Sequence, residues 1–307
     1  MSEQRAREPD AVHTPNPTAG SSPDSAAGAD NAGPQVPETV GVYGGGRMGA
    51  GIAHAFASAG ARVIIIENTE ETVAAAKERI DASVEKSKSK GLDVTGTVEV
   101  VRDPTLLDQA LLVIEAVPEN VELKQTILAA IAKYAPAASI ATNTSALSID
   151  ELAAALPRPH ALIGLHFFNP VPVSDLVEVV VGTHTQPELV GVAKSWVAGL
   201  GKTAITVKDS PGFASSRLGV ALALEAMRMV EEEVASPEDI DKAMTLGYRH
   251  PAGPLQTTDI VGLDVRLGIA EHLETELGPR FAPPQLLKDK VASGQLGRKS
   301  GQGFYTW

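Results

Sequence analysis

Gly44-Gly45-Gly46-Arg47-Met48-Gly49 follows a short β-rich run, Thr39 to Tyr43, and opens a helical pattern from Met48 to Ala59. A second apolar run, Ala61 to Ile66, comes next and ends on the acid Glu67. The spacing G-x-G-x-x-G is common in glycine-rich turns. With a strand before it, a helix after it and an acid at the tip of the next strand, it is the mark of a dinucleotide-binding βαβ unit. Gly44 permits the tight turn, Gly46 lets backbone approach a pyrophosphate, and Gly49 lets the helix pack close. The helix N-terminus supplies unpaired N–H groups for that anion. A carboxylate at Glu67 accepts ribose hydroxyls and repels a 2′-phosphate, so the expected cofactor is NAD rather than NADP.

The pattern beyond this unit fixes the rest of the expected fold. Ala61 to Ile66 is too continuously apolar for a half-exposed strand and reads as a central parallel one. A helix from Thr69 to about Lys90 follows, ended by Gly91. Val98 to Val101, Leu111 to Glu115 and Ser139 to Thr142 read as further strands, with a helix from Val121 to Tyr134. This alternation predicts a parallel sheet with helices on both faces, an α/β, Rossmann-like arrangement. His160 to Phe168 and Leu176 to Val181 are joined by a turn too short for a parallel crossover, which predicts an added antiparallel pair. A helix (Glu188 to Leu200) and a strand (Ala204 to Val207) close the unit. Past Pro211 the periodicity is helical: Ser215 to Val234, Pro237 to Leu246, Val261 to Leu277 and Pro284 to Ser293. The expected organisation is an NAD-binding domain over 38–207 and an all-helical C-terminal domain over 208–307.

Residues 1–37 contain no Leu, Ile, Phe, Tyr or Trp but six prolines. Such a segment cannot bury enough apolar surface to offset its ordering entropy and reads as a disordered extension. Arg5 and Arg7 are not followed by the apolar stretch of an export signal, so a cytoplasmic protein is expected.

Composition excludes several function classes. The 307 residues include no cysteine, which removes thiolate metal sites and Cys nucleophiles, and no metal site is expected. A formal charge of −12 argues against nucleic acid as a partner. The most apolar stretch, Leu218 to Val230, is interrupted by Glu225 and Arg228 and is too short to span a membrane.

An alcohol-oxidising nicotinamide enzyme needs a base at the hydroxyl, and His is the usual one. Of seven histidines, His166 alone ends an apolar strand, Leu162-Ile163-Gly164-Leu165, before Phe167-Phe168-Asn169-Pro170. Glu178 interrupts the apolar run Leu176 to Val181, where a carboxylate is costly unless paired. Neighbouring antiparallel strands bring the two together, and the pairing would orient the imidazole. Each residue alone reads equally well as structural. Asn143-Thr144-Ser145 follows the strand Ser139 to Thr142, at the sheet end where ligands bind in open α/β folds. Ser145 is placed to bond a substrate oxygen or, equally, to cap the helix near Ser148.

Together these residues resemble the L-3-hydroxyacyl-CoA dehydrogenase family, most of all its bacterial 3-hydroxybutyryl-CoA members. The likeness runs from about Glu38 to Trp307, through GGGRMGAGIA (44–53), EAVPENVELK (115–124), TNTSAL (142–147), GLHFFNPVPV (164–173), LVEVV (176–180), KDSPGF (208–213), EDIDKAM (238–244), GPLQTTDIVGLD (253–264) and GRKSGQGFY (297–305). The resemblance implies an NAD-dependent exchange between (3S)-3-hydroxyacyl-CoA and 3-ketoacyl-CoA, with short chains such as 3-hydroxybutyryl-CoA and acetoacetyl-CoA expected. It implies His166 as acid/base, Glu178 as its orienting carboxylate, and Ser145 and Asn169 at the substrate oxygen. It implies a cofactor set of Gly44, Gly46, Arg47, Met48, Gly49, Glu67, Glu119, Lys124 and Asn143. From composition alone Glu119 and Lys124 look like solvated helix charges. Ser83 and Lys90, seven apart and so expected on one helix face, match the family's CoA contacts. The resemblance also implies a homodimer formed through the helical domain.

One departure stands out. The family's PGF-x-x-N-R reads Pro211-Gly212-Phe213-Ala214-Ser215-Ser216-Arg217, with Ser216 in place of an Asn near the substrate. A hydroxyl is shorter and lacks the two-ended amide. That leaves open a carrier-protein thioester or a hydroxy acid without CoA as substrate. A non-catalytic NAD-binding role is the remaining alternative.

Overall fold

The computed structural model describes residues 35–307. The expected disordered extension lies outside them apart from its last three residues, and there the boundary shifts. Val36 packs on the core and Pro37 is buried, so the ordered chain begins before Glu38.

Eight strands form one sheet: β1 Thr39–Tyr43, β2 Arg62–Ile66, β3 Thr97–Val101, β4 Leu112–Glu115, β5 Ser139–Thr142, β6 Leu162–Phe167, β7 Leu176–Val181 and β8 Thr203–Lys208. Their order is β3-β2-β1-β4-β5-β6-β7-β8. The β1 to β6 portion is parallel throughout. β7 runs antiparallel to β6, as the short turn required, and β8 pairs parallel to β7. The order reverses between β1 and β4, the place where an open α/β sheet leaves a crevice at its carboxyl edge.

Alternate side chains of β2 explain its unbroken apolar run. Val63 and Ile65 enter one apolar cluster, and Ile64 and Ile66 enter another on the opposite face. The first cluster is covered by α1 (Arg47–Ser58), α2 (Glu70–Lys88) and α5 (Pro187–Gly199) through Phe56, Ile80 and Trp196. The second is covered by α3 (Val121–Tyr134) and α4 (Ile149–Ala153) through Leu128, Ile131 and Leu152.

Helices follow: α6 Ser215–Glu231, α7 Pro237–Lys242 with a π-turn over Ala243–Gly247, α8 Pro254–Val261, α9 Leu263–Leu277 and α10 Gln285–Ala292. They share a third apolar cluster around Leu224, Met227, Leu255, Leu263, Leu273 and Leu287. The expected helix from Val261 to Leu277 is α9, starting two residues later because Gly262, with a φ of +111° that suits glycine alone, separates it from α8, a helix the sequence reading did not include. The α8 segment carries its own start signal, Pro254 at the first helical turn.

Asp259 ties the C-terminus to α8. Fully buried, its carboxylate accepts from Phe304 N (2.8 Å), Tyr305 N (2.9 Å) and Trp307 Nε1 (2.9 Å). Asp259→Ala leaves three donors without an acceptor. The expected loss is about 2–5 kcal/mol of unfolding free energy, read as a lower urea midpoint at unchanged slope; an unchanged midpoint refutes the strap.

Candidate active site

The glycine turn follows β1 and leads into α1. Gly46 is the N-cap of α1 and no side chain caps the helix. An added Cβ on Gly46 would meet no atom within 4 Å, so the approach to the start of α1 is open at that residue. A Cβ on Gly49 would overlap the Gly44 carbonyl oxygen. One glycine therefore keeps the approach free and the other lets the helix close on the turn. Arg47 is exposed and Met48 half-buried beside them. Glu67, one residue past β2, accepts the Gly45 N–H with Oε1, which fixes a carboxylate against the turn. An uncapped helix start beside a fixed carboxylate suits a pyrophosphate and an unphosphorylated ribose, so these residues fit NAD.

A buried ion cluster occupies the carboxyl ends of β4 and β5. Lys124, on α3, has no exposed surface, and its Nζ lies 2.8 and 3.0 Å from the two oxygens of Glu115 and 3.3 Å from Glu119 Oε2. Glu115 also accepts from Thr142 Oγ1 (2.6 Å) and Val117 N (2.6 Å). Glu119 Oε1 accepts from Thr144 Oγ1 (2.6 Å), Ser145 N (2.8 Å), Ser145 Oγ (3.1 Å) and Ala146 N (3.1 Å). Burial pushes the Glu119 carboxyl up, but Lys124 and the Thr144 and Ser145 donors outweigh it and hold the group below its ordinary value. Lys124 is thus no solvated helix charge, and Glu119 reaches from the start of α3 to the turn after β5.

Ser145 does not cap α4; Ser148 does, accepting from Glu151 N. Asn143 Oδ1 accepts from Phe167 N (2.9 Å), tying the turn after β5 to the residue after His166.

His166 and Glu178 are directly opposed in the β6–β7 register. His166 Nδ1 lies 2.7 Å from Glu178 Oε2, with the histidine 7% exposed and the glutamate fully buried. Burial pushes the Glu178 carboxyl up. Bonds from His166 and Ser215 reverse that, and the net shift is downward. An ionised carboxylate can only accept, so Nδ1 carries a hydrogen, and in the neutral imidazole Nε2 is the nitrogen with the lone pair. Among the described residues Nε2 has no partner. Phe168 (4.5 Å between ring centres) and Phe213 (5.9 Å) confine the ring.

Asn169, on an exposed turn three residues past His166, makes no side-chain bond among the described residues. Ser216 Oγ stands 3.5 Å from the Ser145 carbonyl oxygen, at the limit of a hydrogen bond, which brings α6 to the turn after β5. Ser83, on α2, is half-buried and donates to Arg79 O (2.8 Å). Lys90 is exposed beyond the end of α2, so the expected shared helix face stops short of it. Glu115 and Ser215 are the site residues that sequence reasoning passed over. Glu115 had a signal, an acid ending the apolar run of β4.

Family models for the 3-hydroxyacyl-CoA dehydrogenase NAD-binding domain and C-terminal domain match residues 39–210 and 212–307. The chain belongs to the 3-hydroxyacyl-CoA dehydrogenase family. A 3-hydroxybutyryl-CoA dehydrogenase of Mycobacterium tuberculosis is 41% identical over 282 residues, covering 88% of this chain and 98% of that protein. The mitochondrial hydroxyacyl-coenzyme A dehydrogenase of Sus scrofa is 38% identical, covering 87% and 90%. The crystal structure of (S)-3-hydroxybutyryl-CoA dehydrogenase from Ralstonia eutropha superposes with a TM-score of 0.82 at 38% identity, covering 88% of this chain and 99% of that one. This member of the family is an NAD-dependent oxidoreductase.

Two predictions follow from the buried carboxylates. Lys124→Met strands Glu115 without its counter-charge and is expected to cost about 3–5 kcal/mol, with Glu115→Gln added to it recovering part of that loss in urea unfolding. Glu178 has a depressed folded pKa, so its stabilising contribution is complete above the unfolded value of 4.5 and is lost as pH falls through the folded one. Glu178→Gln therefore has a flatter acid limb in stability against pH than the parent; equal slopes contradict the shift.

Proposed function

We propose that this enzyme interconverts short-chain (3S)-3-hydroxyacyl-CoA and 3-ketoacyl-CoA, with His166 as the acid/base group. The carrying observation is the 2.7 Å pair of His166 Nδ1 and Glu178, which leaves Nε2 unpartnered at the carboxyl edge of the sheet. The substrate class is supported by relatives named for 3-hydroxybutyryl-CoA.

NAD, which the turn of Gly44, Gly46, Arg47, Met48 and Gly49 with Glu67, and Glu119 and Asn143 beyond it, would hold, supplies the hydride acceptor or donor when bound. The expected direct contact from Lys124 gives way to one through Glu119, because Lys124 has no exposed surface. His166 Nε2 takes the proton of the 3-hydroxyl during oxidation and returns one to the oxygen during reduction. Glu178 offsets the positive charge the imidazole then carries and keeps its ring in place. The Ser145 hydroxyl and the Asn169 amide bond the substrate oxygen, and Ser216 stands beside them. Ser83 and Lys90 receive the CoA moiety, for which Lys86 and Lys88 add positive charge.

The same reading divides the chain at 207/208 into an NAD-binding and a helical domain and places the enzyme in the cytoplasm as a homodimer. No described helix is long and apolar enough to cross a membrane. Dimerisation through the helical domain is supported by exposed apolar side chains on α6, α8 and α9, Leu218 (71% exposed), Ile260 (42%) and Val265 (43%).

His166→Ala and Glu178→Gln are each expected to lower kcat by about 10²–10⁴-fold with acetoacetyl-CoA while NADH binding, followed by fluorescence, stays within a few-fold. Near-normal turnover in either variant refutes the assigned role. A C4-to-C16 panel of 3-ketoacyl-CoAs, followed by NADH consumption, should give its highest kcat/KM at the short end. No turnover with any acyl-CoA would favour a carrier-protein or CoA-free substrate. Light scattering at micromolar protein should give twice the chain mass; a monomer contradicts the interface.

A further inference from the structure

Glu178 is held at both oxygens, and one residue grips both. Oε1 accepts from Ser215 N (2.9 Å) and Ala214 N (3.2 Å). Oε2 accepts from Ser215 Oγ (2.7 Å) as well as from His166 Nδ1 (2.7 Å). Ser215 is the first residue of α6, and α6 has no cap from its own N-cap side chain. The carboxylate of a β7 residue fills that place, accepting the orphan N–H groups of a helix some 36 residues further along the chain.

With backbone donors at Oε1 alone, the carboxylate would pivot about that oxygen. The Ser215 hydroxyl supplies the second point and fixes the plane in which Oε2 meets the imidazole. We propose that Ser215 is a positioning residue for the reaction, one that sets the orientation and ionisation of Glu178 and, through it, the aim of His166 Nε2. This rests on the reading of His166 and Glu178 as the acid/base pair. The titratable group facing Glu178 is His166 from β6. Of the other elements packed on it, β8 places Ile205 opposite in the register and α6 presents Ser215. The hydroxyl is thus the adjustable part of the environment. Next along the helix, Ser216 turns to the Ser145 carbonyl, so adjacent hydroxyls of α6 address the β7 carboxylate and the turn after β5.

Ser215→Val and Ser215→Thr separate the hydroxyl from the shape, since both are β-branched and of similar size and the backbone N–H groups remain in each. The measurement is kcat and KM for acetoacetyl-CoA reduction by NADH from pH 4 to 9, so that the acid limb falls inside the scan, with thermal unfolding alongside. Ser215→Val should lower kcat roughly tenfold, the equivalent of one charge-assisted hydrogen bond, with KM within about twofold. Its acid limb should move to higher pH, because a carboxylate that has lost a donor protonates sooner. Ser215→Thr should restore both. A parental profile in folded Ser215→Val, or equal loss in the Val and Thr variants, overturns the proposal. If Ser215→Val fails to fold, Ser215→Ala makes the same comparison with the same two outcomes. Failure of the underlying reading is distinguishable: His166→Ala would then retain turnover whatever residue stands at 215.

Discussion

A carboxylate with no exposed surface in the middle of an apolar strand sets terms for everything packed around it. Glu178 stays ionised only if donors surround it, and the sheet can offer just one, the imidazole directly across on β6. The rest come from the first turn of α6. The helical part of the chain is therefore joined to the sheet at the very group that orients His166. The phenyl ring of Phe213, in the same segment, packs into a sheet cluster and closes on the imidazole. Rigid placement of the histidine and docking of α6 are one and the same interaction.

The same logic operates at the other wall of the crevice. Glu115, Lys124 and Glu119 are buried or partly buried charges that collect donors from β5, α3 and the turn between β5 and α4. Ser145 reaches that cluster through its amide and hydroxyl, and Asn143 bridges from the same turn to Phe167. The turn after β5 is thereby tied on one side to the ion cluster and on the other to the strand that carries His166. Its conformation follows from the two attachments rather than from the local sequence.

What could be read from the sequence, and what could not, follows from where each signal lives. The strands of the parallel sheet announce themselves by apolar runs buried on both faces, and the glycine turn by the elements that flank it. His166 and Glu178 stand out because each interrupts or ends such a run. Glu115 carried a fainter version of that signal, since an acid at a strand tip ordinarily faces water. Lys124 lies among polar helix residues and its burial depends on Glu115, a partner nine residues away whose own burial was unseen. Ser215 reads as an ordinary residue at a helix start; its role exists only because β7 arrives there. The break at Gly262 is a backbone property that periodicity alone cannot register. Pair relations between residues in contiguous patterns were legible, whereas relations created by docking distant segments were not.

The two carboxylate clusters differ in one respect that bears on the proposed chemistry. Glu115 and Glu119 share Lys124, so that wall has a cationic partner of its own, offsetting one of the two carboxylates, before any substrate arrives. The partners of Glu178 other than His166 are neutral: two backbone N–H groups and a hydroxyl. They hold the carboxylate ionised by hydrogen bonding without cancelling its charge. Its full negative charge remains directed at Nδ1 and acts most strongly when the imidazole becomes cationic, which in the proposed reaction is the moment after proton uptake by Nε2. Such a field is built at folding and needs no rearrangement during turnover, which is the condition under which a buried charge aids a reaction rather than merely costing stability.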